Sequence, residues 1–223
     1  MNSGALDAVG FLGLGGVFAS VMTGNLVLLG LSAGSRSSTL FAHAAIAIAG
    51  YILGVTAGVR LSGDRCETCT AGWSRRVNAV LAVELGLVVA FSIGWEFAGG
   101  RPTTPSQLAL VGLAATAMGL QSAAMRVVIG RGASTTYLTG TLTGVVATLA
   151  SGRSLHKEWR NVVALAAALV GAALAGTALV ERSTLAPAVP LLVLMGAIFV
   201  GVTLTTTAGA EPPPRAEPKH DIE

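Results

Sequence analysis

Charge is scarce in this chain of 223 residues: Asp, Glu, Lys and Arg together make up 11%, against roughly 25% in an ordinary soluble domain. With 52% hydrophobic residues and a mean hydropathy of +0.71, that shortage excludes a water-soluble globule and points to a membrane protein. Aromatic residues are also few, at 5%, so helix contacts filled by large rings are not expected. The 29 glycines suggest close, small-residue contacts instead. The two cysteines, in Cys66-Glu67-Thr68-Cys69, exclude a disulfide framework. Without a second CxxC or a nearby His cluster they read as loop thiols. Three scattered histidines, His43, His156 and His220, make no metal site. The chain has no HExxH and no phosphate-cradling Gly loop followed by Lys, so neither an enzyme nor a cofactor is expected. Residues 1–7 lack the basic segment of a secretory signal, and no cleavage is expected there.

The net charge of +3 does not imply nucleic acid, because the basic residues fall in short loops between apolar runs and form no continuous patch. Their natural role is orientation in a lipid bilayer. The uncharged run 8–35 exceeds the roughly 20 residues needed to cross the hydrocarbon core. It is expected to be broken, with glycines weakening its first part and Thr23-Gly24-Asn25 interrupting its middle. Run 39–59 carries Gly50, Gly54 and Gly58 at four-residue spacing, a pattern for tight helix contact that could also join two copies in a homo-oligomer. Further spans are expected at 77–97, 105–125, 161–180 and 185–206. Residues 134–150 are marginal in length for a full crossing. The tail 209–223, with Pro212, Pro213, Pro214 and Pro218 among mixed charges, is expected to be disordered.

Thr23-Gly24-Asn25 returns in altered form as Thr139-Gly140-Thr141, each copy followed by an apolar run, a charged loop and another apolar run. The chain therefore reads as one transmembrane domain, 1–208, of two related halves, about 1–98 and 106–208. Counting each Thr-Gly element with the helix before it as one crossing puts Arg60, Arg65, Arg75, Arg76, Arg153, Lys157, Arg160, Arg215 and Lys219 on one side. Only Arg36, Arg101 and Arg182 then lie on the other. A second composite that crosses twice would leave the two sides equal. The asymmetric arrangement is preferred, with both termini cytoplasmic and the halves inverted relative to each other. The fold class is all-α: a polytopic transmembrane helical bundle of about six to seven spans in a cell membrane, each half holding a broken Thr-Gly helix.

Several phrases resemble a known family. Asp7-Ala8-Val9-Gly10-Phe11 and Val17-Phe18 lead into Met22-Thr23-Gly24-Asn25, and Met118-Gly119-Leu120-Gln121-Ser122-Ala123 leads to Thr135-Thr136-Tyr137-Leu138-Thr139-Gly140-Thr141. Together they are similar to the bacterial YoaK-like family of multi-pass membrane proteins, a domain of unknown function. The resemblance implies the membrane fold and no activity. Members of that family usually carry a further apolar stretch ahead of the Asp-Ala-Val-Gly-Phe phrase, so the expectation here is either a chain that begins late or a short first helix.

The side chain least at home in a span is Glu84, because a carboxyl group facing lipid lacks partners, and such groups face the bundle interior. It could carry a proton or fix helix packing. Asp7 and Gln121 hold similar positions ahead of the two Thr-Gly copies and either line a site or cap helices. The Thr hydroxyls could equally bond back onto their own helix. The leading functional expectation is a small permease for a small polar or anionic solute. Its candidate site is Thr23, Gly24, Asn25, Thr139, Gly140 and Thr141, with Glu84, Gln121 and Asp7. The alternative is a non-transporting membrane scaffold or assembly factor.

Overall fold

The computed structural model describes residues 2–62, 75–129, 138–152 and 159–181, with scattered positions between 188 and 203. In the lipid core every backbone N–H and C=O needs an internal partner, which the α-helix provides within one segment. The elements are α1 (Asn2–Gly13), α2 (Met22–Ser35), α3 (Ser38–Ser62), α4 (Arg75–Phe97), α5 (Thr104–Ile129), α6 (Leu138–Ala150) and α7 (Trp159–Val180). No strand occurs among the described residues. Four helices, α3, α4, α5 and α7, are long and apolar enough to cross a membrane, and α6 is a shorter apolar helix. The molecule is a polytopic helical bundle. Expected features at 63–74 (with Cys66, Cys69 and Trp73), 130–137 and 153–158, most of the span 185–206, and the tail 209–223 lie outside the described residues.

The central helix is α5, with 61% of its apolar window buried, against 17–33% for the other three long helices. One core cluster joins Leu6 and Val9 of α1 to Ala44 and Ala47 of α3, Phe91 and Trp95 of α4, and Val111 and Met118 of α5. A second joins Val77, Leu81 and Val88 of α4 to Leu120 and Ala124 of α5 and to Leu194. Large apolar side chains such as Leu53 on α3 and Leu169 on α7 are exposed, at 65% and 72%. These are the surfaces a bilayer would cover.

The closest seam runs between α3 and α5. Gly50, Gly54 and Gly58 are all buried. A methyl group on Gly50 would stand 2.8 Å from the Gly112 carbonyl oxygen, one on Gly58 2.6 Å from Ala123 Cβ, and one on Gly54 on top of the Thr116 carbonyl. The tight contact read from the spacing is present, but it lies within one chain. In this chain α5 occupies the face that carries these glycines. Tyr51 adds a polar tie across the seam, its hydroxyl donating to Ser122 Oγ at 3.0 Å.

Besides the packing of α4 on α5 and α3 and of α1 on α5, the helix contacts fall into matched pairs. α3 packs on α5 and α7 on α1, while α2 packs on α3 and α6 on α7. Each of the first two has a glycine pressed onto a carbonyl of its partner: Gly119 of α5 on Tyr51 of α3, and Gly4 of α1 on Ala168 of α7. α2 and α6 share no contact with each other.

Candidate functional site

Helices α1 and α2 are two short pieces, of 12 and 14 residues, separated by a non-helical stretch at 14–21. The expected break is real but lies upstream of its expected place. Gly15 and Gly16 turn the chain at φ 87° and 79°, values that a residue without Cβ adopts freely. A side chain at Gly15 would also collide with the His43 ring, 2.7 Å from its Cδ2. Thr23, Gly24 and Asn25 lie in the first turn of α2, after the break.

Non-helical backbone at membrane depth needs partners from elsewhere in the protein, and buried polar side chains provide them. Asn25 accepts a bond from the Phe18 N–H at 2.9 Å and donates to the Phe18 carbonyl at 2.7 Å. Asp7, on α1, accepts from the Ser20 N–H at 2.7 Å and from the Ser20 hydroxyl at 2.5 Å. Gln107 of α5 donates to the Gly13 carbonyl at the end of α1, at 3.3 Å, satisfying a group that a helix terminus leaves open. Its Oε1 lies 3.3 Å from His43 Nε2, and His43 Nδ1 bonds the Thr39 carbonyl at 2.8 Å. The break is thus held from α1, α2, α3 and α5 together.

Beside this junction lies a cleft of about 490 Å³, lined by Leu12, Gly13, Trp95, Gly99, Gly100, Arg101, Pro102, Gln107, Leu179 and Val180. Its size suits a small molecule. It ends at the turn between α4 and α5, and its one charged residue among the described lining is Arg101.

A second polar cluster sits at the other end of α1. Glu84 of α4 is fully buried. Its Oε1 accepts from Asn2 Nδ2 at 2.9 Å and from Gln121 Nε2 at 3.0 Å. The interior position read for Glu84 is correct, and Gln121 is its partner.

The nine sequence candidates therefore separate into three places. Asp7 and Asn25 stitch the break, with Thr23 exposed and Gly24 half-buried beside it. Glu84 and Gln121 meet each other. Thr139 and Gly140 are exposed and Thr141 half-buried on α6, which packs on α7 alone among the described elements. The two Thr-Gly motifs do not meet, since their helices pack on different partners. Asn2, Ser20, His43, Gln107 and Trp95 carry site contacts that the motif reading did not assign. Gln107 could have been found as one of two amides, with Gln121, within the apolar run 105–125, whereas Ser20 and Asn2 carry no pattern that separates them from other small polar residues.

This geometry predicts unequal effects at the paired glycines. A methyl on Gly140 meets nothing within 4 Å, whereas one on Gly24 would stand 3.0 Å from Phe18 Cδ2. Gly140→Ala is expected to be neutral or to gain up to about 1 kcal/mol from helix propensity. Gly24→Ala should displace the Phe18 ring, which stacks on Phe11 at 5.3 Å between centroids, and lower the unfolding midpoint in detergent. Equal midpoints for the two variants would contradict this packing.

Comparison with known proteins agrees with the resemblance read from the motifs. The family model described as "Protein of unknown function (DUF1275)" matches residues 1–201. The chain is 31% identical over 161 residues to the UPF0700 transmembrane protein YoaK of Bacillus subtilis (strain 168), covering 72% of this chain and 68% of that protein. No solved structure matches.

Proposed function

The chain belongs to the DUF1275 family, and we propose that it is a small helical permease of the bacterial plasma membrane that moves a small polar or anionic solute past the α1–α2 junction. One observation carries the reading: the cleft beside the junction is lined by Gly13 and Gln107, the pair that closes the end of α1. Transporters use discontinuous helices in this way, presenting helix ends and unwound backbone to a solute inside the membrane. Arg101 is the one charged residue among the described lining residues, which favours an anionic or neutral polar solute.

The matched helix contacts support two related halves. Exchanging α1 with α5, α2 with α6 and α3 with α7 turns the α3–α5 contact into α7–α1 and the α2–α3 contact into α6–α7, and both members of each pair are present. Inverted halves with both termini cytoplasmic remain the preferred arrangement on the loop charges. The reading involves no catalytic residue and no cofactor. The scaffold alternative draws support from α6, whose exposed Thr139, Gly140 and Thr143 give a small-residue surface of the kind that helix partners use.

A thermal-shift screen of purified protein against small anions and polar metabolites tests the permease reading, because a ligand at one hundred times its Kd stabilises the folded state by about 2.7 kcal/mol. Each stabilising solute is then offered to proteoliposomes. Uptake above protein-free liposomes is expected, with about tenfold weaker binding in Gln107→Leu, the value of one hydrogen bond. A complete panel with no stabilising solute, or stabilising solutes that never cross, would overturn it.

A further inference from the structure

We propose that Glu84 and Asn2 form a proton-binding site in which a neutral carboxyl group and an amide pair edge to edge, one hydrogen bridging Glu84 Oε2 and Asn2 Oδ1. Among the described residues both donors to Glu84, Asn2 Nδ2 and Gln121 Nε2, converge on Oε1, at 2.9 and 3.0 Å. Glu84 Oε2 and Asn2 Oδ1 are buried without a partner among the described residues. An ionised carboxylate spreads its charge over two equivalent oxygens and draws donors to each. Two donors on one oxygen and none on the other is the pattern of a carboxylic acid, with a carbonyl at Oε1 and a hydroxyl at Oε2.

The two orphan atoms are also the right two. Once Asn2 Nδ2 bonds Oε1, the remaining corners of an acid–amide ring are Oε2 and Oδ1, and a single proton satisfies both. Turning the amide end for end gives one donor to each carboxyl oxygen but sets the amide oxygen 2.9 Å from Oε1, a contact between two acceptors that again takes one bridging hydrogen. A metal cation fits less well. Hard cations take about six or more oxygen ligands, whereas two N–H donors already point at this carboxyl group, and the described residues hold no group of three His, Cys, Asp or Glu side chains.

Release of the proton would leave a negative oxygen facing the amide oxygen of Asn2, which repels it and frees that end of α1. The other end of α1 is Gly13, at the cleft. Proton binding at Glu84 thus supplies a coupling ion for transport, and this last step alone rests on the permease reading above.

Infrared difference spectroscopy of the purified protein tests the site. Wild type minus Glu84→Gln should show the C=O band of a protonated carboxyl group, lost in the variant. Glu84→Gln can complete the same ring through its own amide and is expected to fold. In Asn2→Leu the band should persist but shift to higher frequency, because its carbonyl loses one donor. Absence of the difference band would overturn the proton site, and a band unmoved in Asn2→Leu would overturn the pair. Proteoliposomes that take up no solute, with both spectral results as expected, would remove the permease reading and leave the proton site standing.

Discussion

Replacement of Gly54 by Ala is expected to destabilise the protein more than any other single added methyl group in the α3–α5 seam. The new Cβ would fall on the Thr116 carbonyl oxygen, with Thr116 C at 2.9 Å and the Gly119 Cα at 3.0 Å. These are main-chain atoms of a central helix, so no rotamer change can make room, and α3 must move away from α5 along its length. Overpacking of a well-filled interior usually costs about 1–3 kcal/mol, and a clash of backbone with backbone belongs at or beyond the upper end. Separation would also loosen the contacts at Gly50 and Gly58 and the Tyr51–Ser122 bond. Gly30→Ala, where nothing lies within 4 Å, is the control. Unfolding midpoints in detergent should fall sharply for Gly54→Ala and hold for Gly30→Ala. A Gly54→Ala protein as stable as the wild type would mean that the two helices are not so close.

The second large effect is expected at Asn25. Leu has nearly the same shape but can neither donate to the Phe18 carbonyl nor accept from the Phe18 N–H, and the site is fully buried. Two backbone groups would lose their partners in a dry interior, at about 1–3 kcal/mol each. Asn25→Asp separates the two bonds, since a carboxylate still accepts from the N–H but sets an acceptor against the carbonyl. Both variants should lower the unfolding midpoint, Leu more than Asp. Hydrogen exchange at the Phe18 amide should accelerate in Asn25→Leu and much less in Asn25→Asp. An unchanged exchange rate in Asn25→Leu would show that Asn25 does not hold the break.

How the break was legible, and how it was misplaced, comes down to those residues. Polar and glycine residues inside an apolar run mark an interruption, and Thr23-Gly24-Asn25 is the most polar part of run 8–35. Sequence position does not say where a side chain points, however, and Asn25 reaches back seven residues to Phe18. The turn itself belongs to Gly15 and Gly16, ordinary members of a glycine-rich run until their φ values are seen. The seam glycines show the same limit: their spacing fixes that a helix packs closely there, but a partner from the same chain and one from a second copy leave the same pattern. Glu84 was readable because a carboxyl group within a span has few tolerable surroundings. Its partner Asn2 was not, because it lies far away in the chain and ahead of the apolar run 8–35. The separation of the Thr-Gly copies was invisible for a related reason, since repeated motifs fix equivalent positions in two halves but not their approach.

Helix α2 carries one further implication, for the choice of lipid. It is bounded by Val21 and by the left-handed cap at Arg36, and its 14 residues rise about 21 Å, well short of a hydrocarbon core of roughly 30 Å. Its outer face, with Leu26, Val27 and Leu31 exposed at 57%, 62% and 58%, would meet the acyl chains in a bilayer, and among the described elements only α3 packs on it. Longer acyl chains would strain this weakly braced segment first, because mismatch is relieved by tilting or by thinning the surrounding lipid at a cost for each ångström. The junction at 14–21 would take up that tilt, so membrane thickness would act on the protein at the break between its two short helices.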